Sequence, residues 1–403
     1  MPSEIAWLDA SREDQQRMNE IVRLFTQSES RDELGIGQVR DAFSNSLFPG
    51  TSTLHTRARY LLFVPWCYLA AESKGLAGAR LERRVSDNER ALIGGLKDLG
   101  ATEGLIGRLA GVAVKTLPSA LYWGALGQYR ILQVAEPLSA LGVSGLSDPD
   151  QEELAERTFS AWSATIPPIP DGFPRHLETG FEMTKKEADW LQERMLGGTE
   201  GSLLHHLVSD GNRPEPDSAA PWKDPICHTC APEVRAVLEH ARLLSIVISG
   251  AASLYNLLIA ERYLKAGHTR VEDPVERFRE RLTDWAEECE GQGRELAAWD
   301  RRAFWQHVLA VNPLIRPATR SFLSTWFERV CNREIDKAAD DSELRRLVGD
   351  RERRQKGNQS RLTNDRLLAS WSGEAGTGRL NYRWDQVNRI LQDLHDGLEA
   401  SNA

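Results

Sequence analysis

Residues 231–266, APEVRAVLEHARLLSIVISGAASLYNLLIAERYLKA, carry the most continuous apolar pattern in the chain, and positions 243–260 hold no charge at all. A helix that is apolar all round belongs in the middle of a large protein or in a membrane. The uncharged run only just reaches the lower limit of about 17 residues for crossing a bilayer. Ser245, Ser249, Ser253 and Asn256 fall near one helical face, beside Gly250, Ala251 and Ala252, a face suited to close helix–helix contact. Basic residues flank both ends (Arg235 and Arg242, Arg262 and Lys265), so no charge bias orients the segment in a bilayer. The pattern predicts the central helix of a soluble helical protein.

The rest of the chain reads as helices punctuated by proline and glycine. Ser11 precedes an acidic first turn and a 3–4 spaced apolar face of Met18, Ile21, Val22, Leu24 and Phe25. A helix from about 38 to 47 stops at Phe48-Pro49-Gly50. Thr51, Ser52 or Thr53 can cap another that runs toward Glu72, carries His55, Arg57 and Arg59 in its first turns, and bends or restarts near Pro65. Further helices with breaks at Gly94-Gly95, Gly100, Gly107 and Pro118 fill 78–160, with one starting at Asp148-Pro149. The proline-rich run Ile166–Pro174 predicts a boundary. A helix follows at Lys185–Leu196, then a loop from Gly211 to Pro225 that predicts a mobile excursion. Asp273-Pro274 opens another helix, and more are expected at 301–311 and 317–339. Trp384, Val387, Leu391 and Leu394 make one face of a final amphipathic helix, with Ile390 beside it. No alternating β-branched run and no internal repeat stands out, so the expected fold is all-α.

Composition narrows the setting. The 403 residues carry 27% charged and 41% hydrophobic side chains, a globular balance. A net charge of −9 repels polyanions from the surface at large, so any nucleic-acid contact needs a local basic patch. The first residues, MPSEIAWLDASRED, have no signal-peptide pattern, and five scattered cysteines suit free thiols, so a cytoplasmic protein is expected.

Five stretches resemble one known bacterial family: IAWLD, RDELGIGQVRDAFSNSLFPGTST, TRARYLLFVPW, GAASLYNLLIAER and SWSGEAGTGRLNYRWDQV. The chain is similar to DUF6361 along nearly its whole length, with Ser253-Leu254 departing from a more aliphatic pair. The resemblance brings no established activity. It implies a genome setting like that of bacterial defence islands, beside helicase-like genes.

Candidate chemistry is sparse. Cys227 and Cys230 have the two-residue gap that lets two thiolates hold one zinc ion, and His205-His206 can complete a set; the alternative is a metal-free start to the central helix. Arg40, Arg57 and Arg59 flank a hydroxyl-rich turn that would suit a phosphate, or else they pair with Asp32, Glu33 or Asp41 in a buried structural network. Arg345, Arg346, Arg351, Arg353, Arg354, Lys356, Arg361 and Arg366 stand against Asp350, Glu352 and Asp365, a cationic excess that would bind nucleic acid in a salt-dependent way or form a solvated linker. Tyr382 and Trp384 follow and can stack on bases or pack the last helix. The glycine run Gly373–Gly378 lacks the lysine and preceding strand of a phosphate loop.

The sequence therefore predicts an N-terminal helical domain (1–165), a central helical domain (175–340) around the buried helix, and a small basic C-terminal segment (341–403). The expected function is a non-catalytic subunit of a bacterial defence-type system, binding a protein partner such as a helicase-like subunit, and DNA through the basic tract, with no membrane association. One alternative is a metal-dependent hydrolase or nuclease with its site at Asp32, Glu33, Arg57 and Arg59; another is a purely structural assembly protein.

Overall fold

The computed structural model describes residues 32–76, 78–133, 161–332 and 334–401. The helices expected after Ser11 and at Asp148-Pro149 lie outside them. Among the described residues the fold is all-α, without a sheet; Leu132 and Trp162 make one isolated bridge. The chain divides into two units, each assembled from separate stretches. Among the described residues, one combines those of 48–230 with 383–401, and the other combines 32–47 with those of 231–382. The proline-rich run at 166–174 and position 340 thus each fall inside a unit, where the sequence suggested boundaries.

In the second unit, helix α1 (Gly37–Leu47) joins the helices that follow Cys230. These are α7 (Pro232–Lys265), α8 (Pro274–Gly291), α9 (Gly293–Ala298), α10 (Arg301–Val311), α11 (Pro317–Cys331), α12 (Ser342–Lys356) and α13 (Asp365–Ala369). Helix α7 is the expected central rod. Proline at its first position presets the backbone, and Gly267 with φ of 78° ends it. It is long and apolar enough to cross a membrane, yet 78% of its most apolar window is buried inside the fold, under α1, α8, α10, α11, α12 and α13. Trp285 and Trp326 stack with ring centroids 5.8 Å apart, and their indole N–H groups donate to the carbonyls of Ile246 and Val247. Gly250 makes this approach feasible, since a β-carbon there would lie 2.2 Å from the Trp285 ring.

The other unit holds α2 (Tyr60–Glu72), α3 (Gly78–Asp98), α4 (Pro118–Gln128), α5 (Lys185–Gly198), α6 (Leu203–Val208) and α14 (Trp384–Glu399). Helix α2 starts at Tyr60, so His55, Arg57 and Arg59 precede it. The amides of Thr56, Arg57 and Ala58 are taken by Tyr122 Oη and Asp393, which holds this stretch out of a helix. Pro65 sits inside α2 without ending it. Gly94-Gly95 does not break α3 either; at Gly95 the carbonyls of Pro174 and Arg175 approach to within 2.9 Å of where a β-carbon would stand. The proline-rich run is packed rather than a linker, with Trp66 donating to the Pro167 carbonyl and Phe173 against Phe63 and Trp66. Helix α5 begins with a capping box between Thr184 and Glu187. Helix α14 buries the apolar face expected for it. The 211–225 stretch is pinned to it, not loose: Trp384 donates to the Ser218 carbonyl, Asn388 to those of Glu215 and Pro216, and Arg213 pairs with Asp396 and Glu399.

Candidate nucleic-acid interface

The expected meeting of Arg57 and Arg59 with Asp32, Glu33 or Asp41 does not form. Arg57 instead holds Asp393 through Nε and Nη2, and Ala58 N–H donates to the same carboxylate. Arg59 pairs with Glu187 at 2.9 Å and donates to the carbonyls of Thr179 and Gly180. Asp32 accepts the amides of Ile36 and Gly37 at the start of α1. Glu33 is buried against Arg361 and Lys356, and Tyr255 Oη donates to it. Arg40 pairs with its neighbour Asp41. Each of these groups has a structural partner within its own unit. Glu33, Arg59 and Asp393 are buried, where an unpaired charge would be costly to desolvate.

The zinc set is not assembled. Cys227 and Cys230 are buried and form no disulfide, and burial, then Asp224, pushes the Cys227 thiol well up. His205 contacts the Leu196 carbonyl, while His206 is held between the Ile226 carbonyl and Thr229. Among the described residues no group of three His, Cys, Asp or Glu side chains is placed to hold a metal ion.

The basic tract is neither a tail nor an open linker. Asp341 caps α12, and Arg353, Arg354 and Lys356 fill its last turn, where cations complement the helix dipole. Half of the eight cations are turned inward or pinned. Arg351 is buried, donating to the carbonyls of Leu34 and Gly35 and to Thr319 Oγ1, with its guanidinium over the Phe322 ring. Burial lowers its pKa, with Arg316 adding to the effect and Asp32 opposing it. Arg361 and Lys356 serve Glu33, and Arg345 serves Glu261. The same interior holds Glu352, which accepts from Ser360 and the Arg361 amide and shares the single Tyr255 hydroxyl proton with Glu33. Two carboxylates and two cations therefore balance beside Tyr255, whose hydroxyl is pushed up by burial and by both glutamates. Tyr382 and Trp384 are buried too, donating to the Ala241 and Ser218 carbonyls, so neither offers a stacking surface.

Arg346, Arg353, Arg354 and Arg366 remain exposed. Arg353 pairs with Asp350. Arg346 and Arg354 line a groove of about 340 Å³ between α11 and α12. Across α11 lies a second groove, of about 540 Å³, against α10, lined by Arg302, Trp305 and Arg320; Ser321 borders both. Together the two grooves carry six arginines against two carboxylates, Glu343 and Asp350. Glu343 is taken by Arg329. Arg302, Arg320, Arg346 and Arg354 have no ion-pair partner among the described residues. The ridge between the grooves is the exposed face of α11, with the hydroxyls of Ser321, Ser324 and Thr325. Half-buried Trp305 has the Arg320 guanidinium 5.9 Å from its ring centre. Guanidinium groups beside hydroxyls are the donors that phosphate oxygens take. Sequence reading missed Arg302 and Arg320, because α10 and α11 lie outside the charge run and nothing in their spacing announces that they border α12.

These features define an all-α protein with a buried apolar rod and a cationic, hydroxyl-bearing outer face. The chain belongs to DUF6361, a family of unknown function, whose model matches residues 2–398. No curated protein and no solved structure matches the chain significantly.

Proposed function

We propose that this chain is a non-catalytic helical subunit that binds nucleic acid on the face formed by α10, α11 and α12. The observation that carries the reading is the set of four exposed arginines without ion-pair partners, Arg302, Arg320, Arg346 and Arg354, flanking a ridge of three hydroxyls. Arg346 and Arg354 stand two helical turns apart, about 12 Å along the axis, so they reach different phosphates of one strand. The ligand in this reading is DNA, gripped by its backbone without base readout. A protein partner, a helicase-like subunit of a bacterial defence system in the cytoplasm, completes the proposal and rests on the family resemblance alone.

Fluorescence anisotropy with labelled duplex and single-stranded DNA at low ionic strength tests the nucleic-acid limb. The intact chain should bind, and replacing the four arginines by alanine should abolish binding while the fold persists. Equal binding by the variant would overturn the assignment of this face.

A further inference from the structure

The glycine run that fails as a phosphate loop is nonetheless built onto the polar row of the central helix. Asn256 donates to the Ala375 carbonyl at 2.8 Å and accepts the Ala375 amide at 2.9 Å, so one carboxamide fixes both backbone groups of that residue. Gly373 and Gly376 take φ of 107° and 64°, conformations that favour glycine. Beside this fixed loop lies a cavity of about 440 Å³. Ser249, Ser253 and the Trp285 ring form its floor, Arg281, Asp284 and Glu288 one wall, and Glu374, Thr377 and Arg379 the other.

The two walls exchange ion pairs. Arg281 reaches across to Glu374 at 2.6 Å, and Arg379 reaches back to Glu288. These pairs neutralise each other and leave Asp284 as a carboxylate with no cationic partner among the described residues. The hydroxyl protons are also spoken for: Ser249 donates to the Ile246 carbonyl and Thr377 to Glu374. Both oxygens therefore offer only lone pairs to the cavity. Ser253, 9% exposed, makes no hydrogen bond among the described residues and lines the floor. A preformed pocket that presents acceptors and one surplus negative charge is complementary to a donor-rich cation.

We propose that this cavity binds a primary ammonium group, with Asp284 as its counter-ion and Ser249, Ser253 and Thr377 as acceptors. The group can come from a small free amine or from a lysine side chain. The site lies outside the nucleic-acid face and does not depend on it.

Isothermal titration calorimetry on the full chain tests this with 1,4-diaminobutane, Nα-acetyl-lysine amide and inorganic phosphate. Saturable one-to-one binding of either amine is expected, and the tighter of the two identifies the source. Asp284→Asn, at an exposed position, should weaken binding about tenfold or more, the scale of one lost charged hydrogen bond. Thr377→Val should weaken it too, whereas Asp171→Asn, an exposed acid in the other unit, should leave it unchanged. The proposal is overturned if neither amine saturates at millimolar concentration, if Asp284→Asn binds the amine as tightly as the parent, or if it is phosphate binding and not amine binding that responds to Asp284→Asn.

Discussion

Arg57 and Asp393 form a two-pronged ion pair, with Nε to Oδ2 at 2.9 Å and Nη2 to Oδ1 at 2.8 Å, joining the stretch before α2 to the last helix. Burial raises the Asp393 carboxyl, and the Arg57 guanidinium pulls it back only in part. Burial also works against the Arg57 cation, and there Asp393, with Glu103 and Glu182, more than offsets it. Such a pair costs more to break than it gains over an apolar substitute. Asp393→Ala, which also strands the Ala58 amide, should destabilise the unit by about 3 kcal/mol. The double change Arg57→Met with Asp393→Leu should cost less than the single one. Urea denaturation of the three chains checks the order, and equal stability of Asp393→Ala and the parent would contradict it.

The contact between Gly250 and Trp285 leaves no room for one more carbon. Gly250→Ala would place a methyl group 2.2 Å from the indole of the buried Trp285. Overpacking of this kind costs about 1–3 kcal/mol. A lower melting temperature and a changed tryptophan fluorescence spectrum are expected, since Trp285 and Trp326 must both shift.

Buried histidine makes the fold sensitive to acid. His55 stacks on Tyr122 at 4.2 Å, contacts the Leu121 carbonyl, and has its pKa lowered from 6.5 to about 4, by burial above all. The folded state resists protonation there, so this stability is present above pH 6.5 and drains away as pH falls toward 4. For this one group the loss is about 2 kcal/mol by pH 5. His240, His307 and His395 are lowered too, again chiefly by burial, and add in the same direction. Stability measured at pH 7 and pH 5 should drop in the parent and drop less in His55→Gln, once the lower starting stability of that variant is allowed for.

The arginines of the 345–366 tract divide by role. Arg351→Ala removes hydrogen bonds to two buried carbonyls and one hydroxyl, and Arg361→Ala leaves Glu33 short of a cation; each should lower the melting temperature by about 5 °C or more. Arg346→Ala and Arg354→Ala lie at the surface and should stay within about 0.5 kcal/mol of the parent. Thermal unfolding of the four single variants separates the groups.

Much of the architecture was legible in the sequence because it rests on local pattern. Residues 231–266 announced a buried rod, Phe48-Pro49-Gly50 announced a stop, and Trp384 to Leu394 announced an amphipathic helix. What was not legible depends on distant partners. Asp393 stands 336 positions from Arg57, so the neighbouring carboxylates at 32, 33 and 41 looked like its natural partners. The basic tract misled for a different reason, since charge counting ignores which face a helix buries. Leu344, Val348 and Arg351 share one stripe at spacings of four and three, and that periodicity marks Arg351 as turned inward with them. Arg302 and Arg320 escaped notice because only the packing of α10 and α11 brings them to the edge of the tract.

The salt dependence of DNA binding tests the cationic face most directly. If Arg302, Arg320, Arg346 and Arg354 each neutralise a phosphate, the slope of log Kd against log salt concentration should flatten by roughly 0.9 for every arginine replaced by alanine on duplex DNA. Arg366→Ala, exposed but outside both grooves, should leave the slope where it was. A slope unmoved by each of the four single replacements, or no binding at any ionic strength, would contradict a nucleic-acid role for this face.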